Sequence, residues 1–242
     1  MPLLIHESSL AATLNAVNGM FFDGRPIPKR DRLAVARWIV ARQGLPRAYA
    51  DTFAGTERDL KQGIRLFTGE LTTNAAARHI LGEESCRALI LLDVPDRKVR
   101  SALERAGQSL TGRLCQRPNS PDYGWYCCAR CSASVWRHLS VGGLDHQEPR
   151  LVAGVRRLKQ YRLANGRWRA FPFWYTVLAL SEIDLPEAKE ELRYASDILE
   201  RAARVKTTDG IHAQRRTLLA RQVLEESFGG ASPRRRARCA EA

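Results

Sequence analysis

Four of the six cysteines in this 242-residue chain fall within residues 115–131: Cys115, Cys127, Cys128 and Cys131. Cys128 and Cys131 form a C-x-x-C pair, and helical spacing puts both thiols on one face. A helix N-terminus favours thiolate there, because its unpaired N–H groups and dipole stabilise negative charge. Cys115 lies in the preceding loop and Cys127 just ahead of the helix, so up to four sulfurs can converge, a set that suits tetrahedral zinc. The same residues also fit small thiols in helix packing, or a disulfide or redox pair. His138 stands seven residues beyond Cys131 on nearly the same face. At a rise of about 1.5 Å per residue it lies roughly 10 Å along the axis, outside a shell whose metal bonds are about 2.0–2.3 Å. His79 and Glu83, at i and i+4, form a second candidate: metal ligands, a base with its orienter, or an ordinary surface pair.

Aromatic and basic residues cluster downstream. Trp125, Trp136, Trp168, Phe171 and Trp174 fit the lining of a cavity for a hydrophobic ligand. Beside Arg167 and Arg169 they fit stacking on bases, and they equally fit packing between helical hairpins. Arg156, Arg157, Arg162, Arg167 and Arg169 make the strongest internal basic stretch. Such a stretch holds a pyrophosphate by bidentate contacts, meets phosphate backbones, or forms a solvated face. Lys plus Arg total 39 against 26 Asp plus Glu, a formal net charge of +13. A basic body favours an anionic partner such as nucleic acid. Neither a G-x-x-x-x-G-K-[ST] loop nor a G-x-S-x-G elbow occurs, which argues against a P-loop nucleotide enzyme or a hydrolase of that type.

The elements that must position these residues read almost entirely as helix. Apolar periodicity and stop signals predict helices over 31–43, 57–68, 72–92, 96–110, 126–140, 148–162, 172–183, 186–205 and 209–228. Thr56 with Asp59 resembles a capping box. No segment shows sustained period-two alternation between hairpin turns, so the fold class is all-α with about ten helices. One helical domain over 1–228 is expected, followed by a basic, disordered tail over 229–242. No apolar run is long enough for a membrane span. The N-terminus MPLLIHESSL lacks the pattern of a signal peptide, so a reducing, cytoplasmic setting is expected.

Internal repetition sharpens the architecture. Val99–Leu110 is followed by Tyr123-Gly124-Trp125 and a helix from Cys128. Leu151–Arg162 is followed by Asn165-Gly166-Arg167-Trp168 and a helix from Phe171. A third copy is suggested by Ala36–Gln43 and Tyr49. Helix, glycine turn, aromatic, helix describes stacked helical hairpins, which bury their apolar faces only on one another. The stretches LILLDVPDRKVRSALERAGQSL…YGW and GVRRLKQYRLANGRW resemble the repeats of the terpenoid cyclase and protein prenyltransferase superfamily, over residues 85–185. The resemblance implies an α/α toroid of inner and outer helices with an aromatic-lined central cavity. It places the helix after Trp125 on the inside, where related toroid enzymes hold a catalytic zinc that activates a substrate thiolate. The Asp-rich cyclase motif is absent, so the resemblance implies architecture and no catalytic residue. Two functions stand side by side: a prenyltransferase- or cyclase-like protein with a zinc-thiolate site, acting on a hydrophobic or pyrophosphate-bearing small molecule, and a non-enzymatic helical repeat protein with structural cysteines that binds nucleic acid or protein.

Overall fold

A computed structural model describes residues 4–206 and 209–228. The basic tail over 229–242, including Cys239 and Arg234, lies outside the described residues. Eleven helices are present among those described: α1 (Leu10–Phe22), α2 (Lys29–Val40), α3 (Glu57–Gln62), α4 (Asn74–Leu92), α5 (Arg97–Thr111), α6 (Ala129–Leu139), α7 (Gln147–Leu158), α8 (Phe173–Ser181), α9 (Pro186–Tyr194), α10 (Ser196–Ala203) and α11 (Ile211–Phe228). The fold is all-α, with one two-stranded ribbon of β1 (Ile64–Arg65) against β2 (Leu71–Thr72).

Two differences from the expected elements have local causes. The helix expected over 57–68 stops at Gln62, where Gly63 takes a φ of 75°, and the chain turns into the ribbon. Its start follows the expected capping box, with Thr56 and Asp59 bonded reciprocally. The buried Asp59 carboxylate also accepts from Ser9 Oγ at 2.6 Å and from the Leu10 N–H at 2.7 Å. One side chain therefore caps α1 and α3 together. α1 itself carries no strong periodic signal, since Ala, Asn, Thr and Gly occupy much of it and its mean character is apolar throughout.

From α4 to α9 the helices alternate between a buried and a half-exposed set. Ten of the eleven residues of α6 are buried, as are seven of nine in α8 and twelve of nineteen in α4. In α5, α7 and α9 only four, five and three residues are buried, on one face each. α4 packs on α6, and α6 on α8. The contacts His79–Cys131 and Glu84–Arg137 advance together along α4 and α6, and Glu84–Tyr175 and Arg87–Glu182 along α4 and α8, so the three helices run parallel. The outer helices α5 and α7 carry the chain back between them.

Both hairpin turns use their glycine as the sequence implies. Gly124 has φ 77° and Gly166 has φ 77°. Gly124 is also a point of closest approach: an added Cβ would sit 1.9 Å from the Arg150 carbonyl oxygen of α7. Trp136 Nε1 donates to the Gly124 carbonyl at 2.7 Å, and Trp168 Nε1 to Glu191 Oε2 at 2.8 Å.

The centre of the inner layer is charged. Arg137 on α6 bonds Glu84 on α4 and Glu182 beyond α8, and Arg87 on α4 bonds Glu182 and Asn18 on α1. Tyr175 donates to Glu84 at 2.5 Å. Burial alone would raise the Glu84 carboxyl, but Arg137 and Arg87 outweigh it and hold the group below its ordinary value of 4.5.

Three outcomes follow. Gly124→Ala combines a clash with α7 and a left-handed backbone, and costs about 3 kcal/mol by urea denaturation. Gly142→Ala, at φ 87° with no atom closer than 3.6 Å to the new Cβ, costs only the conformational term of about 1–2 kcal/mol. Glu84→Gln destabilises by about 3 kcal/mol or more at pH 7, because it removes a carboxylate from buried Arg137. The depressed carboxyl stabilises the fold above its unfolded pKa and ceases to do so as pH falls through the folded value. The difference between wild type and variant therefore narrows in acid.

Candidate metal centre

His79 Nδ1, Cys127 Sγ and Cys131 Sγ converge, all three atoms lying within 4.8 Å of one another. The His79 nitrogen is 3.3 Å from the Cys127 sulfur and 3.7 Å from the Cys131 sulfur. Zinc bonds of about 2.0–2.3 Å in tetrahedral array put neighbouring ligands about 3.5 Å apart, so the spacing fits. One imidazole with two thiols is a donor set for a borderline-soft metal.

Each ligand is held by its element. His79 stands in the second turn of α4, and its ring lies 3.9 Å from the Tyr49 ring and 5.6 Å from that of Tyr126. Cys131 is buried in the first turn of α6. Cys127 sits in the loop just ahead, which is locked over the helix start: the Tyr126 N–H donates to Ser132 Oγ at 2.9 Å, and Ser132 Oγ donates to the Cys128 carbonyl at 2.9 Å. Tyr49 and Tyr126 join through their hydroxyls at the edge of the cluster.

Charge and burial prepare these groups differently. Burial, with Arg78 and Arg113 beside it, pushes the His79 imidazolium below its usual range, leaving the neutral ring that a metal requires. Cys128 occupies the N-cap position of α6 and is held down to about 5 by the Cys131 S–H, aided by the nearby amides of Cys131 and Arg130. Cys131 is pushed up, first by that same hydrogen bond and then by burial. Burial also raises Cys127.

The other sequence candidates are distributed as follows. Cys128 interacts electrostatically with the thiols of Cys127 and Cys131 but is not in the group that includes His79. Cys115 does not join the cluster; its sulfur faces the Arg117 carbonyl at 3.8 Å, and its own carbonyl accepts from Arg150 Nη1 at 2.8 Å. Glu83 does not serve His79: its carboxylate binds His138 Nδ1 at 2.6 Å, both side chains fully enclosed between α4 and α6. His138 is thus a core residue and takes no part in the cysteine cluster, the exclusion that its distance from Cys131 implies.

The aromatic residues pack on one another. Trp136 stacks on Phe171, Trp125 on Tyr161, and Trp168 on Phe173; Trp174 meets Phe173 edge-on. Neither the groove along α5 and Gly142–Asp145 nor the cavity between α1, α6 and α11 is lined by Trp125, Trp136, Trp168, Phe171 or Trp174. In the basic stretch, Arg156 pairs with Glu187, Arg157 with Asp122, and Arg162 with Glu190 and Glu191. Arg167 and Arg169 lie over the Phe173 and Tyr161 rings.

Sequence reasoning placed His79 and the cysteines in separate candidates. Nothing in their spacing joins them, because 48 residues and the α4–α6 packing intervene. No protein-family model, curated protein or solved structure matches this chain.

In metal-free protein, alkylation mapped by mass spectrometry follows exposure: Cys127 and Cys128 label first, Cys131 and Cys86 only on unfolding. A metal that binds the cluster protects Cys127 and leaves Cys115 as reactive as before.

Proposed function

We propose that this protein is an α/α-toroid-type zinc-thiolate protein that holds its metal through His79, Cys127 and Cys131 and leaves the remaining coordination position for a substrate. The single observation that carries this reading is the convergence of one imidazole nitrogen and two sulfurs at ligand spacing. The alternation of parallel inner helices with half-exposed outer ones supports the toroid-type architecture. A bound zinc would supply Lewis acidity, favouring the anionic form of a thiol or water beside it.

The chain's own groups set what approaches. Cys127 is exposed and Cys131 buried, so the cluster faces solvent on the side of the 112–128 loop. Arg78 and Arg113 both act on His79 electrostatically, and among the described residues neither is paired with a carboxylate. Arg156, Arg157 and Arg162, by contrast, are neutralised by acids. The substrate class that suits the site is a thiol or a phosphate-bearing small molecule, with Arg78 and Arg113 offering positive charge.

A second reading of the same site rests on Cys128. Its thiol interacts electrostatically with those of Cys127 and Cys131, and as a fourth ligand it would close a Cys₃His set of the structural kind. The protein would then be a binding module whose metal pins the 112–128 loop to α4.

Elemental analysis of protein purified without chelator tests both. The expected result is about one zinc per chain, retained in Cys115→Ser and lost in Cys131→Ser and His79→Ala. Cobalt exchange adds a sulfur-to-metal absorption band that shares this pattern. Wild-type protein that carries no zinc and takes up no cobalt would overturn the proposal. Cys128→Ser separates the readings: unchanged zinc content with an exchangeable ligand supports the open site, and loss of zinc supports the closed one.

A further inference from the structure

A cavity of about 530 Å³ opens where the buried charge network reaches the surface, between α1, α4, α6, α8 and α11. That volume is the size of a small-molecule site, and such sites combine apolar walls with a few placed polar groups. Phe21, Phe22 and Phe67 give the apolar wall, with Phe22 and Phe67 edge-on at 5.4 Å. A wall of rings suits a flat aromatic body.

The polar groups decide what that body carries. Two side chains in the lining have hydrogen-bonding capacity that the protein leaves unused. Arg87 is buried, and two of its donors go to neighbours that also line the cavity: Nη1 donates to Asn18 Oδ1 and Nη2 to Glu182 Oε1, both at 2.7 Å. Its Nε–H is enclosed and has no acceptor. A native fold leaves few such donors, because each costs the desolvation of the group. Gln222 of α11 is half-buried in the same lining, and its side-chain amide has no partner among the described residues. Arg87 calls for an acceptor, and Gln222 for an acceptor and a donor side by side.

Charge decides whether that acceptor is ionised. In the floor two cations, Arg87 and Arg137, stand against two anions, Glu84 and Glu182, so the floor is neutral as a unit. Asp23 at the mouth is paired with Arg25. Glu225 adds a negative charge, and among the described residues the lining holds no basic side chain besides the two in the floor. An anionic ligand therefore finds no free positive charge. A cationic one has no lone pair to accept from Arg87 Nε. A neutral acceptor meets both conditions.

We propose that this cavity binds a neutral aromatic amide or lactam. Its ring lies against Phe21, Phe22 and Phe67. Its carbonyl accepts from Arg87, and its amide edge pairs reciprocally with that of Gln222. This site is independent of the cysteine cluster.

Ligand-observed NMR titration of the full chain with benzamide tests the proposal, with benzoate and benzamidinium as the anionic and cationic counterparts of the same shape. Saturable one-to-one binding of benzamide is expected, with both ions about tenfold weaker. Gln222→Leu keeps the size of the half-buried side chain, removes its amide and weakens benzamide about fivefold. Ser181→Trp places a ring in the cavity and abolishes binding; circular dichroism confirms its fold, and Gln222→Leu carries the test if Ser181→Trp does not fold. Failure of benzamide to bind overturns the proposal. So does binding of either ion as tightly, or benzamide binding indifferent to Gln222→Leu.

Discussion

Arg137 is a fully buried cation on a helix that is itself buried nearly all round. Removing a guanidinium from water costs several kcal/mol unless anions and acceptors surround it. Here α4 brings Glu84, the end of α8 brings Glu182, and Tyr175 completes the shell. Arg87 adds a second cation, which α1 helps to satisfy through Asn18. Leucine contacts tolerate small slips of one helix past another, since many packings bury similar area. A charge network does not, because one residue of slip leaves a buried ion unpaired. The network therefore sets the register of four helices at once, and the apolar core fills in around it.

That register is what assembles the cysteine cluster. With Glu84 fixed against Arg137, the parallel course of α4 and α6 brings His79 to Cys131 and Glu83 to His138. The three contacts form one ladder along the helix pair, with a half-exposed rung at one end and buried rungs at the other. Only the half-exposed rung has sulfur, and only there does a loop contribute a third donor. The loop is held by the Trp136–Gly124 and Ser132–Tyr126 hydrogen bonds, both anchored on α6. α6 thus supplies the thiol and the scaffold of its neighbour.

The helical layers were legible in the sequence because the outer helices have strong one-sided patterns and both hairpin turns carry a glycine before tryptophan. The α4, α6 and α8 segments were legible as elements, and the resemblance put the helix after Trp125 inside, but the charges at the centre of this layer were not legible. Glu84, Arg87 and Arg137 look like surface residues in sequence, and only the pairing in space shows why they are inside. α1 escaped notice because its small and polar residues blur the periodicity, and its start is capped by an acid 49 residues away. The ribbon escaped because two residues per strand give no alternation to read. At the candidate site, the close spacing of Cys127, Cys128 and Cys131 was informative, and Cys115 was drawn in by proximity in sequence alone. His79 was visible as a candidate but tied to Glu83, since i, i+4 spacing is the only partner a linear pattern can offer. The run of arginines from Arg156 suggested an anion site, yet three of them face glutamates or aspartate supplied by distant segments.

Gly124 lets the hairpin loop lie directly on the α7 backbone, and Gly154 lets the Trp136 side chain of α6 press against α7. With so little room for water or motion, the α6 amides have few local routes to solvent. Their hydrogen exchange is then governed by opening of the whole domain, which makes α6 the slow core of the molecule. Cys131 belongs to that slow core, while Cys127 is exposed in the loop ahead of α6. The two sulfurs of the cluster therefore meet solvent differently, one directly at the surface and the other only through opening of α6.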